Sequence, residues 1–367
     1  MKFIFFIFIL LALILSANFY VFYRLWHLIP PFPASRIALM CTAFLLIALP
    51  FVSMLLGQHF PFPVSSLMYR VGLSWLMIML YLVIIFFVLD LIRMTGVLPL
   101  HPYMYNSWIG FGWLSLLIVA MMTAGNINYH HKKRVELNIQ ITKNRTIDKP
   151  LKMVAVADLH LGYGTGPKEL HKWVQLINRE EPDVVIIAGD VFDNSLQPMY
   201  ERNFADVLSK INTKYGIYLA LGNHEYISNL TEDIDFLTKA GITVLRDSVA
   251  MVENMYIVGH DDKSNSRRKT VTDLTANLDK TKPIIFIDHQ PHHFDEVEKS
   301  QVDLYIAGHT HDGQVFPVSL ITKALYEISH GYLKKGNTHF YVTSGIGIWG
   351  GKFRIGTSSE YVVINLQ

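Results

Sequence analysis

The first 125 residues of this 367-residue chain contain six charged side chains: Lys2, Arg24, Arg36, Arg70, Asp90 and Arg93. The other 242 residues carry 27 basic and 29 acidic groups. Four apolar runs, at 3–23, 37–56, 71–89 and 108–124, fill the charge-poor part. A helix of about 20 apolar residues crosses a hydrocarbon core of about 30 Å. The first three runs have that length, and the fourth extends on both sides through weakly polar residues. The chain is therefore expected to divide into a transmembrane region at 1–126, a juxtamembrane segment with a first strand at 127–150, and a polar domain at 151–367.

Run 3–23 is long for the apolar stretch of a cleavable signal. Phe19, Tyr20, Phe22 and Tyr23 also fit a small-residue cleavage site poorly, so a retained anchor is expected. Pro50 falls inside the second run, a break that membrane helices tolerate. The joints are rich in Pro, Trp, Tyr and His, a composition suited to the membrane interface. No ionisable residue sits at mid-span, which argues against an ion or proton relay and for an anchor. Four spans put Lys2, Arg70 and Lys132-Lys133-Arg134 on one side, with Arg24, Arg36 and Arg93 opposite. The positive-inside bias then makes this a multi-pass protein with a cytoplasmic polar domain.

The polar domain is nearly neutral and has no basic tract, so nucleic acid is not expected as a partner. The single cysteine, Cys41, excludes an internal disulfide and a thiolate-rich metal site. Val135, Leu137, Ile139 and Ile141 alternate with polar residues as in a half-buried strand, and a turn through 144–150 follows. Further strands are expected at 153–157, 183–188, 216–221, 284–287, 302–307, 340–343 and 361–364, with a strand-rich stretch at 242–259. Helical patterns occupy 167–180, 204–211, 234–240 and 274–278. Strand–helix alternation followed by denser strands implies an α/β domain of two sheets, with its site in the loops beyond the strand ends.

Those loops carry one pattern of side chains. Asp158 and His160, Asp190, Asn223, His289, and His309 with His311 each lie at or just past the end of an apolar run. Two carboxylates, an amide and four imidazoles make the donor set of a two-metal hydrolytic centre for Mn²⁺, with Fe or Zn²⁺ as alternatives. In Asp158-Leu159-His160, alternate residues of an extended segment would point the same way and reach one ion, and His309-Thr310-His311 repeats the spacing. Asp190 is the expected bridge between ions. Glycines before Asp190, Asn223 and His309 allow close backbone approach. His171, His292 and His293 are expected to be ordinary surface or hydrogen-bonded histidines, and Lys282, Lys334 and Lys335 solvated charges.

Five motifs in order, Asp158-Leu159-His160, Gly189-Asp190, Gly222-Asn223-His224-Glu225, the lone His289 and Gly308-His309-Thr310-His311, resemble those of the calcineurin-like metallophosphoesterases. The resemblance covers about 134–367 and is strongest to a bacterial membrane-anchored branch, through Thr343-Ser344-Gly345-Ile346-Gly347 and Arg354-Ile355-Gly356. It implies a sandwich of two mixed β-sheets flanked by helices, and a location in the bacterial cell membrane. It also implies that Asp158, His160, Asp190 and His311 hold one metal, and that Asp190, Asn223, His289 and His309 hold the other. His224 becomes the group that contacts phosphate and protonates the leaving oxygen, with Glu225 or Asp193 orienting a histidine. Two departures stand out. Asn194 follows Asp193 where many members have arginine, and Asp312 stands where glycine is common.

A phosphodiesterase with a bridging hydroxide, acting on a membrane phospholipid or a lipid-linked nucleotide, is the first functional expectation. A phosphomonoesterase on a small ester and a catalytically silent metal-binding sensor or scaffold remain open at this level. Oligomeric state is not legible.

Overall fold

The computed structural model describes residues 2–141 and 150–367, the side chains of 2–4, 6 and 7 aside. The turn expected through 144–150 lies outside the described residues as far as 149. Two compact units are present: residues 1–126 with Gly350–Phe353, and Ile127–Trp349 with Arg354–Gln367.

The first unit is helical. It comprises α1 (Lys2–Leu28), α2 (Pro33–Leu56), α3 (Phe62–Thr95), the single turn α4 (His101–Met104) and α5 (Trp108–His130). Among the described residues four helices are long and apolar enough to cross a membrane. Their outward surface is apolar, with Phe19, Phe44, Leu55 and Met94 all exposed, as befits a membrane protein. Polar groups face inward and pair. Trp75 Nε1–H donates to Asn18 Oδ1 at 2.9 Å between α3 and α1. Arg24 meets Asp90 at 3.1 Å, and Tyr20 donates to the same carboxylate at 2.8 Å. Both charges lie near helix ends rather than at mid-span.

The second unit contains two six-stranded mixed sheets. The first runs β1 (Lys133–Ile139), β12 (Glu360–Leu366), β2 (Leu151–Val156), β3 (Val184–Ala188), β4 (Ile217–Ala220) and β5 (Ile242–Leu245). The second runs β10 (Gly331–Lys335), β11 (Thr338–Val342), β9 (Leu304–Ala307), β8 (Ile284–Ile287), β7 (Met255–Gly259) and β6 (Ser248–Val252). β2 to β5 are parallel, as are β11, β9, β8 and β7, so several C-terminal strand ends emerge side by side in each sheet.

Period-two alternation sorts the core into layers. Met153, Ala155 and Ile186 pack between the sheets against Ile257, Ile287 and Ile306. Val154, Val156, Val185 and Ile187 point the other way, toward α6 (Pro167–Arg179), α8 (Phe204–Leu208) and α10 (Leu230–Lys239). Phe286, Tyr305 and Phe340 meet α11 (Val271–Thr275) and α12 (Phe294–Lys299) on the far face of the second sheet. Covered on both faces, the central strands read as unbroken apolar runs, which is why they are so visible in the sequence. The short helices α7 (Gln197–Glu201), α9 (Asn223–Ile227) and α13 (Val318–Leu325) complete the unit.

Several boundaries differ from the sequence reading. The helix expected at 274–278 forms at Val271–Thr275, because Thr270 and Asp273 build a reciprocal capping box that starts it earlier. The helix expected to run to 211 stops at Leu208. β10 and α13 have no counterpart in that reading. Lys335 is not a free solvated charge: it is ion-paired with Asp295 and with Glu327.

Candidate metal centre

Consecutive parallel strands deliver their first loop residues to one place. β2 leads to Asp158 and His160, β3 to Asp190, β4 to Asn223 and His224, β8 to His289, and β9 to His309 and His311. The D-x-H segment is not extended. Asp158, His160, Asp190, His309 and His311 all have positive φ, between 44° and 70°. Non-glycine residues hold that conformation at a cost, and such residues cluster at functional sites. The expectation that a plain extended alternation brings Asp158 and His160 together therefore fails in its mechanism, although the two side chains do converge.

Three interlocking groups result: Asp158, His160 and His311; His160, Asp190 and His224; and Asp190, His289 and His309. Within each, the candidate donor atoms all lie within 4.8 Å of one another. His160 Nε2 is 3.1 Å from His311 Nε2, with Asp158 Oδ1 at 4.0 and 3.7 Å from them. Asp190 Oδ2 is 3.1 Å from His289 Nε2, 3.8 Å from His160 Nε2 and 4.0 Å from His224 Nε2, so one carboxylate oxygen faces three imidazoles. His309 Nδ1 and Asn223 Oδ1 each lie 3.2 Å from His289 Nε2. His309 and His311, two residues apart, thus turn to different groups rather than sharing one.

The protonation balance fits a cation. Burial pushes the Asp158 carboxyl up to about 7. It also pulls His160 and His311 well below the usual imidazole range, and His309 down to about 3, so these rings are held neutral, the form in which an imidazole can take up a cation. Burial acts to raise Asp190 as well, but the neighbouring imidazoles, His289 foremost, hold it well below the carboxylate range. His289 is raised by that same carboxylate against the effect of its burial. Its Nδ1–H donates to Ala188 O at 2.8 Å, so Nε2 must present either a proton or a lone pair toward Asp190 Oδ2. A divalent cation would take that proton's place, which is how metal binding and deprotonation are coupled at such sites.

Neighbouring groups brace the centre. The backbone N–H of His309 reaches both Asp158 oxygens at 3.1 Å, and that of His224 reaches Asp190 Oδ1 at 2.9 Å. Gly222 is required by close approach: a Cβ there would lie 2.1 Å from Asp190 Oδ1. His224 Nδ1 is hydrogen-bonded to the carbonyl of Asp193, with the Asp193 carboxylate 3.9 Å away. Asp193 therefore orients His224, as one expectation held. Glu225 orients no histidine. Fully buried, it accepts backbone N–H groups of Asp190, Val191, Phe192 and Gly222 at 2.7–3.2 Å and ties the β3 loop to the β4 loop. Asp312, with φ of 51°, explains why glycine suits that position.

Sequence reasoning missed Arg354 as a brace. It is buried, donates to His311 O and Ser344 O, each at 2.5 Å, and pins the histidine loop to the glycine-rich segment. Tyr226, Arg246 and Asp261 were missed too. The Asp261 carboxylate accepts from Tyr226 at 2.6 Å and from Arg246 at 2.9 Å. Arg246 follows Leu245, whose register partner on β4 is Ala220, so it stands just past the end of the neighbouring strand. His171, on α6, contacts Gln175 and takes no part in the three groups.

With this geometry in place, comparison with known proteins gives the class. Residues 151–313 match the family described as calcineurin-like phosphoesterase, and this stretch of the chain is a domain of that family. It is 33% identical over 227 residues to an uncharacterised metallophosphoesterase of Campylobacter jejuni, covering 60% of each chain. It is 29% identical over 225 residues to one of Aquifex aeolicus, covering 59% of this chain and 85% of that one. A Danio rerio protein called a transmembrane protein with metallophosphoesterase domain is 30% identical over 273 residues, or 69% of this chain and 62% of its own. The matches span about 60% of the length of the Campylobacter and Danio relatives.

Proposed function

We propose that this chain is a metallophosphoesterase that hydrolyses a phosphodiester using two divalent cations, with Mn²⁺ first and Fe or Zn²⁺ as alternatives. The observation that carries this reading is the position of Asp190, whose Oδ2 faces His160, His224 and His289 at once. Asp158, His160, Asp190 and His311 would hold one ion, and Asp190, Asn223, His289 and His309 the other. Such a pair supplies positive charge for the phosphoryl oxygens and the acidity that turns water into a nucleophile near neutral pH.

The chain's own groups do the rest. The Asp190 and Asp193 carboxylates, opposed by burial, raise the His224 imidazole above its ordinary value and so favour its protonated form. Anchored through Nδ1 to the Asp193 carbonyl, His224 directs Nε2–H into the site, where it can bind a phosphoryl oxygen and protonate a departing alkoxide. Glu225 and Arg354 keep the loops in register. For substrate, the apolar helices favour an ester that resides in the membrane, a phospholipid or a lipid-linked nucleotide, because confinement to one surface raises its effective concentration. The same helices support a multi-pass location in the bacterial cell membrane, and the distribution of Lys and Arg supports a cytoplasmic site.

The test uses full-length protein in detergent with bis- and mono-(p-nitrophenyl) phosphate, each with Mn²⁺, Zn²⁺ or EDTA. Metal-dependent turnover favouring the diester supports the proposal. A preference for the monoester would replace the diester reading, and a metal-loaded chain that turned over neither would be a sensor or scaffold.

A further inference from the structure

The helix α13 inverts the usual order of burial. Its one well-buried residue is Ser319, 6% exposed, while Leu320, Ile321 and Leu325 are 55%, 58% and 73% exposed, and Phe316 just before it is 52% exposed. The inversion follows from what α13 packs on. Gly313, in the turn after His311, approaches so closely that a Cβ there would sit 2.4 Å from Ser319 N. The helix backbone thus packs directly on that turn at Ser319, while the large apolar side chains face out. Elsewhere in the second unit, exposed residues such as Tyr200, Ile227 and Met251 are scattered along the sequence, whereas these four fall within ten residues. A concentrated apolar face with a lysine, Lys323, on the same helix is the composition of an element that lies in a lipid interface.

The end of the helix also lies near one candidate ligand. Leu325 and the next residue, Tyr326, line a groove of ≈ 380 Å³ together with His292, Phe294 and the acidic Asp295, Glu296 and Glu327. The Tyr326 ring lies 5.5 Å from that of His292 and 6.5 Å from that of the candidate ligand His309. Covalent continuity tethers this unit to an apolar helix. α5, itself apolar enough to span, ends at His130, and β1 begins at Lys133. Two intervening residues reach about 7 Å when extended.

We infer that α13 is a lipid-docking helix. Leu320, Ile321 and Leu325 enter the headgroup–acyl boundary, and Lys323 meets anionic headgroups. The occupant is a phospholipid surface, and the inference deepens the membrane-substrate reading above and rests on it for its purpose.

The test exploits the single cysteine. Full-length protein carrying Cys41→Ser and Leu325→Cys, labelled with an environment-sensitive fluorophore, is reconstituted into phosphatidylethanolamine–phosphatidylglycerol vesicles with nitroxide-bearing acyl chains. Met251→Cys in the same background is the control. Quenching several-fold stronger at 325 than at 251 is expected. Adding Leu320→Asp and Ile321→Asp should abolish that difference while turnover of soluble bis-(p-nitrophenyl) phosphate stays at its starting level. Equal quenching at the two positions, or strong quenching at 325 that survives both Asp substitutions, overturns the docking role. Because quenching does not depend on turnover, an inactive protein would sink the hydrolase reading and leave this result interpretable.

Discussion

Asp190 and Gly222 form one device at the residue scale, since the carboxylate can face three imidazoles only if nothing fills the space that a Cβ at 222 would take. Gly222→Ala should displace the carboxylate by a good part of an ångström and lower kcat by roughly 10²-fold, the usual effect of misplacing a catalytic group by about 1 Å. Metal content measured beside kcat would show whether the ion leaves with it; unchanged kcat would mean the contact is not needed. His224 makes a different prediction because its assigned work is proton donation. His224→Gln should slow hydrolysis of an alkyl phosphodiester far more than that of bis-(p-nitrophenyl) phosphate, whose leaving group needs no proton, with metal content unchanged. Equal losses on both substrates would assign His224 to binding alone. The convergence of these residues was legible in the sequence, because each stands at the end of an apolar run with a side chain suited to metals or protons. Glu225 and Arg354 were not legible as braces, because most of their partners are backbone N–H and C=O groups that no sequence spacing reveals.

At the scale of elements, strands covered on both faces were easy to read and the outer ones were not. β8, which has a β neighbour on each side and helices on one face, matches the expected 284–287, whereas the edge strand β10 carries Tyr332 and Lys334 outward and reads as loop. α13 escaped notice for the opposite reason, since its pattern is apolar on the face that stays exposed. The start of β12 anchors a pH-dependent contact. Glu360 accepts from His330 at 3.1 Å and from Tyr341 at 2.9 Å, and Asp312 also faces His330 at 3.8 Å. Burial would lower the His330 pKa, but the Glu360 carboxylate outweighs it and raises the group above its ordinary value. A raised histidine contributes stability that is complete below its unfolded pKa of about 6.5 and is lost as pH climbs through the folded value. The melting temperature of His330→Gln should therefore fall furthest below wild type near about pH 6 and converge with it by about pH 9. A gap that is constant with pH would show that the pair is not titrating.

The whole molecule combines a unit of apolar helices with a unit that carries the candidate metal centre. The division into a charge-poor third and a polar remainder is plain from six charged residues in the first 125. What the sequence could not convey is the inward polar pairing of the helices, Asn18 with Trp75 and Arg24 with Asp90, because partners 57 and 66 residues apart carry no local signature. The account rests most heavily on a shared centre in which Asp190 serves both ion sites. The most direct test is to titrate full-length wild type and Asp190→Asn with Mn²⁺, following bound metal and bis-(p-nitrophenyl) phosphate turnover in the same samples. The account predicts two ions per chain and metal-dependent turnover in wild type, with metal binding reduced and turnover down at least about 10²-fold in the variant. Wild-type turnover that ignores Mn²⁺ and EDTA, or an Asp190→Asn protein as active as wild type, would contradict it.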